Sequence, residues 1–479
     1  MSERERYNNI VIGAGSAGLV SAYISAAIKA RVALIERGRM GGDCLNYGCV
    51  PSKTLIRTAR MVHDMQRHQE LGIKSVQFEV DLGQIMDRVQ AKIQQIEPND
   101  SVERYTGLGV DCLTGNAEIL DPHTVRVGDE TLTTKNIILA VGASPWIPPI
   151  RGIEQVRYRT SENLWDMREL PRRFVVLGGG PIGCEMAQSF ARLGSQVTQI
   201  EMAPRILGRE DEDMARLVVD RLNSDGVRIL TQTKATEVIT EDGGHVLRCD
   251  GPDGEVRVPF DEILVAVGRK ANTVGVDWAK LGIELNQNGS FKVDEYLRTT
   301  QSNIYACGDC VGPYQLTHAA SHQAWYSAVN ALFSPFKKFK VDYQHLSWCT
   351  FTDPELAHVG FNEETAKAAG LSYEVTYYDM ADSDRAIAES EDYGRIKVLT
   401  RAGSDKIIGA TIVSHLAGEL INEFVQAIKH GIGLNQILGT IHAYPTYMEA
   451  NKAVAGVWKK AHAPQWALRL LAQFHRWRR

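Results

Sequence analysis

The stretch Cys44-Leu45-Asn46-Tyr47-Gly48-Cys49, continued by Val50-Pro51-Ser52-Lys53, sets two thiols apart by four residues, near enough to close a small disulfide. Such a pair stores two electrons, holds a metal, or is a coincidence of two buried thiols. Zinc sites usually present closer-spaced pairs with two further Cys or His ligands in matching register. No second pair sits in that register, and His63, His68, His318 and His322 form no metal pattern, so no metal is expected. A catalytic dithiol needs one thiolate of lowered pKa, which a helix N-terminus favours. From Lys53 to Val62 apolar residues recur at helical spacing, and Pro51 suits a first turn, so Cys49 is expected at a helix start. The chemistry implied is two-electron redox transfer.

Electrons must reach the dithiol from a carrier, and an internal duplication provides two sites for one. Residues 9–12 read as a short buried strand, followed by Gly13-x-Gly15-x-x-Gly18, an Ala-rich helix and a strand that ends at Glu36. The plan returns as a strand over 174–177, Gly178-x-Gly180-x-x-Gly183, a helix, and a strand over 196–200 that ends at Glu201. In both copies the acid follows the first glycine by 23 residues. One such glycine motif is weak evidence, but two, each inside a strand–helix–strand unit with a terminal acid, are strong. The first glycine permits the tight turn, the second lets a pyrophosphate approach the backbone, and the third lets helix and strand pack closely. The helix N-terminus then stabilises phosphate charge, and Glu36 and Glu201 are expected to accept hydrogen bonds from ribose hydroxyls. Residues 137–142 and 263–268, ending at Gly142 and Gly268, read as the strands that return to close each nucleotide domain.

Residues 41–53 resemble the active-site signature of the flavoprotein disulfide reductases, which include dihydrolipoamide dehydrogenase, glutathione reductase and mercuric reductase. The likeness runs from residue 7 to 456. The resemblance implies an α/β fold with two Rossmann-like dinucleotide-binding domains plus an α+β dimerisation domain, acting as a homodimer. The domains fall at 1–150 (FAD-binding, first part), 151–271 (NAD(P)H-binding), 272–340 (FAD-binding and central, second part) and 341–456 (dimerisation), with a basic amphipathic tail over 457–479. FAD is implied on the first nucleotide fold and a nicotinamide on the second. Residues 299–309 resemble the second flavin motif, whose acid contacts the ribityl chain and here is Asp309. The dimerisation domain begins around Trp348-Cys349-Thr350-Phe351-Thr352-Asp353-Pro354-Glu355, and residues 418–425 have helical spacing.

The same resemblance assigns roles. Cys49 matches the thiol that faces the flavin, Cys44 the one that exchanges with substrate, Lys53 the lysine near flavin N5, and Glu185 the acid that pairs with that lysine. His318 matches a flavin-proximal position. Cys307-x-x-Cys310 overlaps the flavin motif and reads as structural, and Cys112, Cys184, Cys249 and Cys349 read as single core or surface thiols. One departure stands out. Disulfide reductases of the glutathione and lipoamide type carry a His before Pro with a Glu five residues after that His. Here the segment is His442-Ala443-Tyr444-Pro445-Thr446-Tyr447-Met448-Glu449, so Glu449 is present but Tyr444 replaces the base. A phenol is a poor base at neutral pH and an imidazole a good one. Tyr here resembles mercuric reductase, yet the adjacent C-terminal cysteines of that enzyme are replaced by Arg476-Trp477-Arg478-Arg479.

Glu201 would repel the 2′-phosphate of NADPH and accept hydrogen bonds from the NADH ribose, so NADH is expected over NADPH, with nearby Arg205 the one feature against it. The 479 residues exceed what single cores reach, and 44% apolar with 23% charged residues is ordinary for a globular enzyme. A net charge of −5 gives no general attraction to nucleic acid. The eight scattered cysteines suit a reducing cytoplasm, and the first residues lack the apolar core of a signal peptide. Residues 458–479 hold six Lys or Arg and no acid. From Pro464 a helix would put Trp466, Leu470, Phe474 and Trp477 on one face, a pattern of membrane-surface binding or of packing against protein.

The expected function is FAD-dependent oxidation of NADH through Cys44–Cys49 to a small-molecule or protein disulfide acceptor. The alternatives are metal-ion or quinone reduction by the same machinery, or a membrane-associated redox sensor.

Overall fold

The computed structural model describes residues 6–241 and 243–479; the start Met1–Glu5, read above for a signal peptide, lies outside them. The described chain forms two compact units, one of Met1–Met202 with Val227–Asp342 and one of Ala203–Gly226 with Tyr343–Arg479.

The first unit is built on two parallel sheets. One runs Val110–Thr114, Val32–Glu36, Tyr7–Ile12 and Glu130–Leu139, all parallel, with the hairpin strands Thr124–Val127 and Ala117–Asp121 beyond. Ile304–Ala306 pairs in parallel with Glu130–Leu139, which returns a distant stretch of chain to the first nucleotide fold. The second sheet runs Arg228–Leu230, Gln196–Ile200, Arg173–Leu177, Glu262–Val265 and Tyr158–Arg159. Strands covered on both faces must be apolar along their length, and Ile10, Val11, Leu34, Ile35, Val175 and Val176 are buried accordingly. Each sheet leads into a glycine turn and a helix, Ser16–Ala27 in the first and Pro181–Leu193 in the second. A Cβ at Gly18 would lie 1.7 Å from the Gly13 carbonyl oxygen, and one at Gly183 would lie 2.1 Å from that of Gly178. Only glycine lets either helix approach its strand this closely.

The second unit carries the antiparallel sheet Ser347–Thr350, Glu355–Gly360, Ile407–Ser414, Arg395–Arg401 and Tyr373–Asp379, covered by helices that include Ala417–His430 and Glu449–Ala461. The helix Glu212–Ser224, inside the 151–271 stretch read as nicotinamide domain, belongs to this unit. One tie within the unit is a buried cation. Lys397 Nζ is fully buried and lies 2.9 Å from Asp211, 2.8 Å from Asp213 and 2.7 Å from Glu363. A buried charge must be paired, which ties residues 211–213 to strand Arg395–Arg401.

The tail begins later than the composition suggests. Trp458 is buried on helix Glu449–Ala461, and His462 stacks on its ring with centroids 4.2 Å apart. The last helix, Gln465–Arg478, follows Pro464.

Candidate active site

Cys44 lies in the short helix Gly42–Asn46, and Cys49 is the first residue of helix Cys49–Gln66, whose N-cap Gly48 offers no side-chain cap. The open first-turn amides favour negative charge at Cys49. The two thiols are hydrogen-bonded to each other, and Cys49 Sγ lies 3.2 Å from Thr317 Oγ1. This makes the pair unequal. The hydrogen bond from Cys44 holds the Cys49 thiol down to about 6, helped by the Thr317 hydroxyl and the positive charge of Lys53. The same bond raises Cys44 far above an ordinary thiol, with burial adding to it. At neutral pH one proton therefore sits on Cys44 and the charge on Cys49.

Lys53 stands one turn along the same helix. Its Nζ meets Glu185 Oε2 at 2.9 Å, where Glu185, on helix Pro181–Leu193, is only 5 % exposed in its side chain. A carboxylate this buried needs its partner, so Glu185 fixes the lysine while the lysine spreads positive potential toward the dithiol.

The two glycine loops are built alike. Glu36 Oε2 accepts from the Ala14 amide at 2.6 Å, and Glu201 Oε2 accepts from the Gly179 amide at 2.6 Å. Each acid thus holds its own loop closed. Gly15 and Gly180 are the N-caps of the two helices and offer no side-chain cap. A Cβ at Gly180 would meet nothing within 4 Å, and one at Gly15 only Gly42 at 3.8 Å. Uncapped amides facing open space are what a pyrophosphate requires. Gly142 and Gly268 have φ of 67° and 126°, also beside open space. The donor set near the second flavin motif suits a polar cofactor as well. Burial pushes the Asp309 carboxyl up to about 6, against the pull of Arg269. Arg269 Nε is buried without a hydrogen-bond acceptor, 3.9 Å from Asp309, while its Nη2 reaches Asp43 at 3.1 Å. These residues fit FAD on the first loop and a second dinucleotide on the other. His318 is the exposed second residue of helix Thr317–Phe333.

Tyr444, Glu449 and His442 lie in the second unit. Tyr444 donates to Asp384 Oδ2 at 3.0 Å, and that hydrogen bond raises the phenol further. Glu449 opens helix Glu449–Ala461. His442 Nδ1 faces the Thr440 carbonyl at 3.2 Å and its Nε2 faces Glu423 at 2.9 Å. Both ring nitrogens are committed to acceptors. Arg205, the cation weighed against NADH, reaches Glu364 at 2.6 Å and the Gly208 carbonyl at 3.1 Å. Cys307 and Cys310 are fully buried, and burial pushes Cys307 up to about 11, so neither is placed for exchange. Cys184 and Cys249 are buried, and Cys112 and Cys349 half-buried.

Sequence reasoning missed Thr317, Arg269 and Asp384. Thr317 and Arg269 adjoin residues that were singled out, His318 and Gly268, but only the tertiary fold brings them to Cys49 and Asp309. No local signal marks Asp384.

The pyridine nucleotide-disulphide oxidoreductase family model matches residues 7–324, and the dimerisation domain model of that family matches residues 346–455. A dihydrolipoyl dehydrogenase of Staphylococcus aureus is 34% identical over 454 residues, covering 94% of this chain and 96% of that protein. A mercuric reductase of Staphylococcus aureus is 30% identical over 449 residues, covering 94% of this chain and 82% of that protein. Among solved structures, the Cu(II) complex of the HOCl-induced flavoprotein disulfide reductase RclA from Escherichia coli is similar with a TM-score of 0.83 at 28% identity, covering 94% of this chain and 99% of that one.

Proposed function

The chain belongs to the pyridine nucleotide-disulphide oxidoreductase family, and we propose that it passes electrons from NADH to Cys44–Cys49 and on to a disulfide-type acceptor. The unequal dithiol carries this reading. Bound FAD would supply the two-electron relay between nicotinamide and dithiol, held by the Gly13–Gly18 loop, Glu36 and Asp309. Reduction consumes one NADH, whose hydride carries the two electrons and the one proton that convert the Cys44–Cys49 disulfide to a Cys44 thiol and a Cys49 thiolate, with Lys53 balancing the negative charge. Cys44, once deprotonated, attacks the acceptor disulfide and releases one thiolate. Cys49 then attacks Cys44, closing the internal disulfide and releasing the second. We place this chemistry in a cytoplasmic homodimer formed through the dimerisation domain. Steady-state NADH oxidation against a panel of disulfides, metal ions and quinones tests the acceptor; activity with no disulfide would sink this reading.

A metal-ion acceptor is the second reading, and Tyr444 favours it. Cys44 keeps its proton, so attack on a disulfide needs a base that Tyr444 is poorly suited to be. A soft metal ion held by two thiolates needs no protonated leaving thiol. Relatives of the chain are named mercuric reductase, and its structural neighbours include a Cu(II) complex. In the same panel, NADH oxidation stimulated by Hg(II) or Cu(II) above every disulfide would establish it.

The nicotinamide choice follows from Glu201, which is expected to meet the adenosine ribose. Catalytic efficiency with NADH is expected to exceed that with NADPH by about tenfold or more, the scale of one charged contact at roughly 1.4 kcal/mol. Arg205 already has Glu364 as a partner. Equal efficiencies would show that another cation serves the 2′-phosphate.

A further inference from the structure

The helix Gln465–Arg478 buries none of its residues. Every hydrogen bond, ion pair and ring contact of its described side chains stays within the helix: Arg476 bonds to the Ala472 carbonyl, Arg478 lies 5.6 Å over the Phe474 ring, and Phe474 meets His475 and Trp477. The chain before it is anchored, since His462 binds Glu374 at 2.7 Å and Lys459 binds Asn435 at 2.8 Å. A helix of 14 residues standing alone is marginal in water. Its stability calls for a surface that covers the apolar face.

The aromatic residues share one face. At about 100° per residue, Trp466, Leu470, Phe474 and Trp477 fall within roughly 80° of the circumference, and Arg469, Arg476 and Arg479 lie away from it. The four are 69, 56, 45 and 81 % exposed. No helix of the described chain is long and apolar enough to cross a bilayer, so the geometry is that of a helix lying in an interface. We propose that Gln465–Arg478 docks the enzyme on an anionic lipid surface, with the Trp and Phe rings entering the headgroup boundary and the arginines meeting lipid phosphates.

Charge complementarity selects that occupant. Residues 458–479 carry six Lys or Arg and no acid, in a chain of net charge −5, so the remainder carries −11. The body is repelled by anionic lipid and only the tail is drawn to it. A tryptophan near each end of the helix matches the headgroup region, where an apolar ring with one polar N–H is at home. The dimerisation domain match ends at residue 455, before this helix begins, so the helix lies outside the domain that the family shares. Two copies in a homodimer would reinforce modest single-helix binding through effective concentration.

The test is co-sedimentation of the FAD-bound enzyme with phosphatidylcholine vesicles, with and without a third of phosphatidylglycerol, at low and high salt. Truncation after Ala463 spares the buried Trp458 and the His462 contacts; Leu470→Glu and Phe474→Glu change only exposed residues. Binding to the phosphatidylglycerol vesicles is expected to fall by about tenfold or more in each variant and in high salt. FAD content, NADH-dependent flavin reduction and dimer mass should not change. Equal sedimentation of full-length and truncated enzyme overturns the proposal. So does dissociation of the truncated dimer in light scattering, which would make the helix a contact between copies.

Discussion

Replacing Cys49 by Ala is expected to abolish the long-wavelength absorbance that the wild type develops on titration with NADH or dithionite, with FAD still bound. The band requires a thiolate donor beside oxidised flavin, and the Cys49 thiol, held down to about 6, is the one in that state at neutral pH. Its pH dependence follows in sign. The charged form of a depressed thiol is present above its pKa, so the band should be full at neutral pH and fade as pH falls through about 6. Cys44→Ala gives a sharper test. The hydrogen bond from Cys44 is the largest cause of the shift at Cys49, so its loss should move the fading to higher pH while the band persists. Turnover with any disulfide should drop by roughly a thousandfold or more in either variant, the scale of losing a covalent catalyst. A band that survives Cys49→Ala would assign the donor to another residue.

This asymmetry shows which parts of the site could be read from the chain alone. The helix start at Cys49, the glycine turns and the acids that end their strands rest on local spacing, because each is set by neighbours within one strand–turn–helix unit. The duplication shows the glycine turns and their acids twice. Lys53 and Glu185, 132 residues apart, were joined only through the family resemblance. Thr317 lies 268 residues from Cys49 and reaches it only because strand Ile304–Ala306 returns to the first sheet. No periodicity announces such a contact. The grouping of Glu212–Ser224 was hidden for the same reason, since one of its ties is Lys397, far along the chain, finding Asp211 and Asp213. Composition marks 458–479 as one basic run without acids, whereas burial of Trp458 is a tertiary fact that no local signal announces.

Tyr444→His is expected to raise disulfide reduction by about a hundredfold, the lower end of what a positioned general base contributes. The proton on Cys44 is the obstacle. Exchange requires its removal, and a leaving thiolate must then be protonated. In the proposed disulfide reaction Tyr444 would serve neither step well, because its hydroxyl donates to Asp384 and that bond raises the phenol above its usual value. An imidazole at the same place titrates near neutrality. The charge of Glu449 is felt at Tyr444, and Glu449 is the acid expected to orient the new ring. His442, the rival base, has a side chain only 5 % exposed, and its nitrogens face Thr440 and Glu423, so His442→Ala should leave disulfide turnover in the wild type nearly unchanged. Tyr444 is 69 % exposed, so the substitution should not perturb folding, and thermal unfolding of the variant checks this. Rates with lipoamide and glutathione disulfide decide the matter. If the wild type already turns over lipoamide as fast as Tyr444→His, no base is missing at this position; if His442→Ala removes that activity, the base is His442.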